Sequence, residues 1–208
     1  MTVRPLLRGA ALAAAAAGVG YVALVTDEGR RADADLFEAV NRGHGPRADR
    51  AFAGITELGS LYAVGAAAGT LAALGRPRQA VRAIAAAGAT WLLGQAVKRV
   101  VERPRPSVAD PIGTRAMIAL PMGTSWPSSH PAVFTAFSVV AGRESEAGPV
   151  ARGSLTALGL SVAVSRVYLG VHYPSDAVSG FLMGRAVAAV WPRPGGVDRT
   201  ARGRSARR

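Results

Sequence analysis

Three short stretches concentrate the residues able to do chemistry: Lys98-Arg-Val-Val-Glu-Arg-Pro-Arg105-Pro106, Pro127-Ser128-Ser129-His130, and Ser165-Arg166 through His172 to Asp176. Lys98, Arg105 and Arg166 supply three cations, more than a neutral ligand requires. Like charges at one locus repel, so a bound polyanion is the natural reason for gathering them. Ser128 and Ser129 precede an expected helix with Pro131 in its first turn, where proline is tolerated. Unpaired N–H groups and the helix dipole favour an anion there, which suits a phosphate. His172 and Asp176 stand four apart at a second helix start. The carboxylate can bond one ring nitrogen, fix the tautomer and leave the other nitrogen free to attack phosphorus. His130, on a different helix, is placed to protonate the leaving oxygen. His44 lacks such company and reads as a loop histidine. Three cations would repel a divalent ion from His130, His172 and Asp176, so neither metal nor cofactor is expected.

Composition narrows the setting of this chemistry. Half of the 208 residues are apolar, 25 are glycine and 18% are charged, which excludes intrinsic disorder. Without cysteine there is no disulfide, thiolate nucleophile or Cys-ligated zinc. A net charge of +12 could suit a nucleic-acid binder. Aromatics at 6% are too scarce for base stacking, and the charge sits between long apolar runs. Lys98 is the single lysine beside 24 arginines.

Those runs must carry the clusters, and they read as an all-α, polytopic membrane protein. Six spans are expected: Leu6 to Val25, Phe52 to Leu74, Ala83 to Val97, Ser128 to Gly142, Ser154 to Ser165, and Pro174 to Trp191. Residues 1–191 form one membrane-embedded domain in this reading, and 192–208 a basic, disordered cytoplasmic tail beside an anionic leaflet. The first span has a basic start but no small-x-small end, so it reads as an uncleaved anchor. Gly65-Ala-Ala-Ala-Gly69 and Gly180-Phe-Leu-Met-Gly184 offer small faces for close helix packing. Glu57 and Arg185 are intramembrane charges; Arg185 is expected to snorkel and Glu57 to lie near the outer end of its span. Thr26 to Ala51 is read as an outer loop. Loop arginines place the N-terminus in the cytoplasm and all three clusters on the opposite face of the plasma membrane.

The clusters resemble the signature of the type 2 phosphatidic acid phosphatase superfamily: Lys-x6-Arg-Pro, Pro-Ser-Gly-His, and Ser-Arg-x5-His-x3-Asp. Lys98 to Pro106 and Ser165 to Asp176 match throughout, and Ser129 replaces the usual glycine. The resemblance spans about Phe52 to Trp191. It implies a metal-independent lipid phosphatase of the inner-membrane type with a six-helix core. His172 would be the nucleophile forming a phosphohistidine, Asp176 its orienter, and His130 the acid. Lys98, Arg105, Arg166, Ser128 and the Ser129 backbone would hold the phosphoryl oxygens.

The expected partners are membrane lipids and a lipid phosphate or diphosphate of polyprenyl diphosphate, phosphatidate or phosphatidylglycerophosphate type, with no nucleic acid. A phosphotransferase using the same intermediate is the enzymatic alternative, and a basic membrane scaffold the non-enzymatic one. Neither head group nor oligomeric state is specified by the sequence.

Overall fold

The computed structural model describes residues 3–193, and those residues form nine helices and no strand. In chain order these are α1 (Val3–Val25), α2 (Asp27–Asn41), α3 (Pro46–Glu57), α4 (Leu61–Ala73), α5 (Pro77–Lys98), the single turn α6 (Pro106–Ala109), α7 (Ser129–Glu144), α8 (Pro149–Tyr168) and α9 (Pro174–Val190). Alanine favours these helices, and proline in the first turn opens α3, α5, α6, α8 and α9. Thr26 caps α2 by accepting from the Gly29 amide at 3.0 Å, and Ser60 caps α4 through the Ala63 amide at 3.1 Å. The proposed cytoplasmic tail lies outside the described residues, apart from Pro192 and Arg193.

Two helices, α1 and α5, are long and apolar enough to cross a membrane; α3 and α4 together make a third candidate, bent by 61°. The six spans expected from the sequence are not all met on this basis. The α7 and α9 helices, at 16 and 17 residues, fall short of the roughly 20 that a straight span needs. The α8 helix reaches 20 residues but includes Arg152 and Arg166.

Two further expectations change. The stretch from Thr26 to Ala51 is largely helical rather than a loop: α2 buries Asp33, Phe37 and Asn41, one residue per turn, and exposes its other charges. The second apolar run is broken at Leu58–Ser60. A Cβ on Gly59 would lie 2.8 Å from the Cβ of His130, so only glycine lets this elbow rest on the start of α7.

The core forms where α5, α7 and α9 meet, with Ala83, Ala86 and Ala87 packed among Val133, Phe137, Val140 and Ala188. The face built on Gly180 and Gly184 sets the spacing there. Added Cβ atoms would come within 2.2 Å of the Ser128 carbonyl oxygen and 2.3 Å of that of Ala132, so α9 lies directly on the α7 backbone. Gly65 and Gly69 meet nothing within 4 Å, and that face does no such packing among the described residues.

Candidate active site

All three motifs converge at one end of the bundle, where α5 and α8 finish and α7 and α9 begin. Lys98 is the last residue of α5, Arg166 lies in the last turn of α8, His130 is the second residue of α7, and Asp176 is the third of α9. Arg105 and His172 come from the loops between them. The charges of Arg166, Arg105 and Lys98 all reach His130, which is half-buried. Ser128 occupies the N-cap position of α7 without a side-chain capping bond, and Ser129 is the first helical residue, rather than both preceding the helix.

His172 is delivered by a tight turn. Gly170 adopts φ +78°, and a Cβ there would lie 2.6 Å from the Arg115 carbonyl oxygen. The imidazole is buried between two kinds of partner. Its Nε2 faces Arg105 Nη1 at 3.0 Å, and its Nδ1 faces Ser125 Oγ at 3.3 Å and Asp176 Oδ2 at 3.5 Å. A guanidinium only donates, so the hydrogen-bond network assigns Nε2 as acceptor and puts the proton on Nδ1. Burial pushes the imidazole down to about 3; the hydrogen bond and charge of Asp176 oppose this, while Arg166 and Arg105 reinforce it. The ring is therefore neutral at ordinary pH, with the Nε2 lone pair turned toward Arg105 Nη1.

The contact expected between Asp176 and His172 is long, at 3.5 Å, and a serine hydroxyl supplements it. Ser125 Oγ donates to Asp176 Oδ2 at 2.5 Å, and that leaves its own lone pair toward His172 Nδ1. Asp176 Oδ2 also accepts from the Tyr173 amide at 2.9 Å, and Oδ1 accepts from Arg103 at 2.7 Å. Arg103 continues the chain to Asp33 Oδ2 and Ser175 Oγ, both at 2.7 Å, and lies 4.0 Å from the centre of the Tyr173 ring. Burial works against its charge, but Asp176 and Asp33 outweigh that and raise its proton affinity. A buried carboxylate is thus fully partnered, as its lack of solvent demands.

The three cations of the motifs are held differently from one another. Lys98 Nζ donates to the Thr124 and Ser125 carbonyl oxygens at 2.5 and 3.3 Å. Arg105 donates to the carbonyl oxygens of Val171 at 2.9 Å and Gly123 at 3.1 Å. Both therefore pin the 122–125 loop that carries Ser125. Arg166, 1% exposed, donates one Nη to Thr56 Oγ1 at 2.7 Å, a contact between α8 and the end of α3. Its Nε and the Ser128 Oγ are buried without a partner. Buried polar atoms are ordinarily paired, so two unmatched donors beside an imidazole describe a place for oxygen ligands. Glu57 is exposed, and its charge reaches Arg166. Outside the site, His44 stacks on Tyr168 with ring centres 5.8 Å apart. Among the described residues no three His, Asp or Glu side chains converge as metal ligands.

Sequence reasoning missed Ser125, Arg103, Asp33 and Thr56. Arg103 was visible, since it sits at a variable position inside the first motif. The others had no local signal.

A helical bundle with cations, two histidines and orphaned donors gathered at the ends of apolar helices is the layout of a membrane phosphatase. The profile of the PAP2 superfamily matches residues 79–194, just over half of the chain. The decaprenylphosphoryl-5-phosphoribose phosphatase of Mycobacterium tuberculosis is 34% identical over 142 residues, covering 65% of this chain and 72% of its own. That of Mycolicibacterium smegmatis is 36% identical over 115 residues, covering 55% and 59%. The fold resembles the transmembrane PAP2 type phosphatidylglycerolphosphate phosphatase of Bacillus subtilis, with a TM-score of 0.67 and 23% identity over 90% of this chain and 93% of that one. Aquifex aeolicus LpxE gives the same score and identity over 75% and 92%. The chain belongs to the PAP2 superfamily. It is a membrane-associated phosphatase of that type.

Proposed function

We propose that this chain hydrolyses a lipid-linked phosphate on the extracytoplasmic face of the plasma membrane, through a phosphohistidine and without a metal ion. The observation that carries the reading is the buried, neutral His172. Its Nε2 is unprotonated, and its Nδ1 is backed by Ser125 and Asp176. Nε2 attacks phosphorus, and the P–O bond to the leaving group breaks as its oxygen takes a proton from His130. Water then attacks the phosphohistidine, releasing phosphate and restoring His172, with His130 accepting the proton. Arg105, Arg166, Lys98, Ser128 and the first amides of α7 hold the three phosphoryl oxygens, where charge accumulates in the transition state. The barrier to be lowered is large, roughly 20 kcal/mol or more for a phosphate monoester. Splitting it into two displacements and meeting it with preorganised donors is chemistry these residues can do.

A lipid substrate is supported from two sides. An apolar groove of about 200 Å³ between α1, α5 and α9, lined by Ala16, Leu93, Met183 and Val187, reaches Pro127 beside Ser128 and can take an acyl or prenyl chain. The mycobacterial relatives act on a phosphate carried by a decaprenylphosphoryl sugar. A phosphomonoester on a polyprenyl-linked sugar is accordingly the substrate type we favour. The placement in the membrane takes α1, the bent α3–α4 pair, α5, α7, α8 and α9 as six passes, with the arginine-rich ends of α1, α5, α8 and α9 in the cytoplasm.

The test is phosphate release by purified protein in EDTA, across a polyprenylphosphoryl phosphopentose, phosphatidate and phosphatidylglycerophosphate. The expected result is release without added metal and a radiolabelled phosphoenzyme, acid-labile and base-stable, that His172→Ala lacks. A label that persists in His172→Ala removes that residue from the nucleophile role.

A further inference from the structure

The end of the bundle opposite the catalytic cluster holds a second concentration of charge. A cavity of about 440 Å³ lies between the start of α1, the end of α7, the start of α8 and the end of α9. Arg4, Arg8, Arg143, Arg152, Arg185 and Arg193 line it, and none of its lining residues is acidic. Its volume lies in the range of small-molecule sites. Fourteen residues separate His130 from Glu144 on α7 and Arg152 from Arg166 on α8, so about 21 Å of helix divides the two sites.

Two of the arginines, Arg143 and Arg185, are held by neighbouring groups, and only Arg143 has a carboxylate within reach. Arg143 donates to the carbonyl oxygens of Ala188 at 3.2 Å and Trp191 at 3.4 Å, and its Nε is buried without a partner. Glu144 reaches Arg143 at 3.5 Å but closes more tightly on Arg82, at 3.2 Å. Arg185 lies over the Phe181 ring at 5.9 Å and feels the charge of Arg8 from the neighbouring helix. Gly9 makes that proximity possible, since a Cβ there would lie 2.4 Å from Val190 Cγ1. Six like charges around one hollow favour a counter-anion, and arginine matches phosphate geometry better than any other side chain. The walls name the anion's carrier. Val139, Leu155, Ala188 and Ala189 line the same cavity beside the arginines, so a ligand seated here has its head among cations and its tail against apolar helix surface.

We propose that this cavity binds the phosphate headgroup of an anionic phospholipid in the leaflet opposite the catalytic site. The site is not part of the hydrolytic machinery and stands whether or not the substrate assignment above is right. Its occupant is a resident lipid, not one that is turned over. A basic pocket between helices at the arginine-rich face of a membrane protein is the setting in which anionic headgroups are recognised.

The experiment is native mass spectrometry of the full chain released from mixed micelles of phosphatidylglycerol and phosphatidylcholine, titrating phosphatidylglycerol. One phosphatidylglycerol per chain is expected in preference to phosphatidylcholine. The double variant Arg143→Gln/Arg185→Gln is expected to weaken it about 25-fold, each arginine contributing about a fivefold factor. Arg152→Gln, at an exposed position, is expected to weaken it about fivefold, and Arg99→Gln, exposed at the other end of the bundle, to leave it unchanged. Equal retention of the two lipids, no loss in Arg152→Gln, or displacement by millimolar inorganic phosphate each overturns the proposal. The readout is mass, so inactivity toward every lipid phosphate would refute the function proposed above and leave this result standing.

Discussion

Arg103 makes no contact with the place proposed for phosphate, yet its removal should be among the most damaging single changes. It bridges two buried carboxylates, Asp33 and Asp176, at 2.7 Å each, and donates to Ser175 at the same distance. Removing one partner of a buried ion pair costs about 3–5 kcal/mol, because the charge left behind has lost its solvent as well as its counterion. Both acids keep other donors: Asp33 retains the Ser175 amide and hydroxyl, and Asp176 retains Ser125 and the Tyr173 amide. The lower end, about 3 kcal/mol, is therefore expected for Arg103→Ala, a fall of about 6–12 °C in Tm for a chain of this size. The same change loosens Asp176 and, through Ser125, the ring of His172, so kcat should fall roughly 10–100-fold with KM unchanged. Arg103→Lys keeps the charge but cannot span both carboxylates, and should lie between. The assays are detergent-solubilised melting and steady-state phosphate release, with Asp33→Asn as the partner in a double-mutant cycle. If Arg103→Ala melts and turns over like the parent, or adds independently to Asp33→Asn, the network does not position the histidine.

Three shorter predictions probe the same geometry. Ser125→Ala deletes the hydroxyl between His172 and Asp176, a hydrogen bond to a charged group worth about 1.5–3 kcal/mol, and should cut kcat roughly 10–100-fold; Ser125→Thr should recover part of it. Gly180→Ala drives a methyl group to 2.2 Å from the Ser128 carbonyl oxygen, a backbone atom that cannot turn aside. A loss of about 1–3 kcal/mol in stability is expected, together with lowered turnover, measured by melting and phosphate release. His172 is held near 3, below its usual 6.5, so the folded protein binds fewer protons there than the unfolded chain. Its contribution to stability is complete above about 6.5 and is lost as the pH falls from there toward about 3. A plot of Tm against pH should fall through that window, and His172→Gln should flatten it.

How much of this could be read from the chain depended on distance along it. Lys98, Arg105, Ser128, His130, Arg166, His172 and Asp176 stand in runs whose spacing encodes their geometry, and the bundle brings those runs to one end. Ser125 meets Asp176 across 51 residues, Arg166 meets Thr56 across 110, and Ser175 meets Asp33 across 142. A serine, a threonine and an aspartate of common type carry no mark of such partners. The α2 helix was hidden by its polarity, because a helix with one narrow buried stripe resembles a charged loop when averaged over a window. Its stripe, Asp33, Phe37 and Asn41, was legible only in register. The break before α4 did leave a trace, since Gly59-Ser60 pairs a breaker with a helix cap. A hydropathy sum runs across both without registering them.

The way four helices end at the catalytic cluster bears on what the pocket does between substrates. The α5 and α8 helices present their carbonyl ends to it, each roughly half an elementary charge negative, and Lys98 and Arg166 sit on those two ends. The α7 and α9 helices present amide ends of the opposite sign, with Ser128 and Asp176 upon them. Lys98, Arg166 and Asp176 thus each rest on a terminus that suits them, so the pocket carries part of its own counter-field and does not rely on a tightly held anion to stay folded. A site poised in this way can let go of inorganic phosphate, and release of product is as necessary to turnover as its formation.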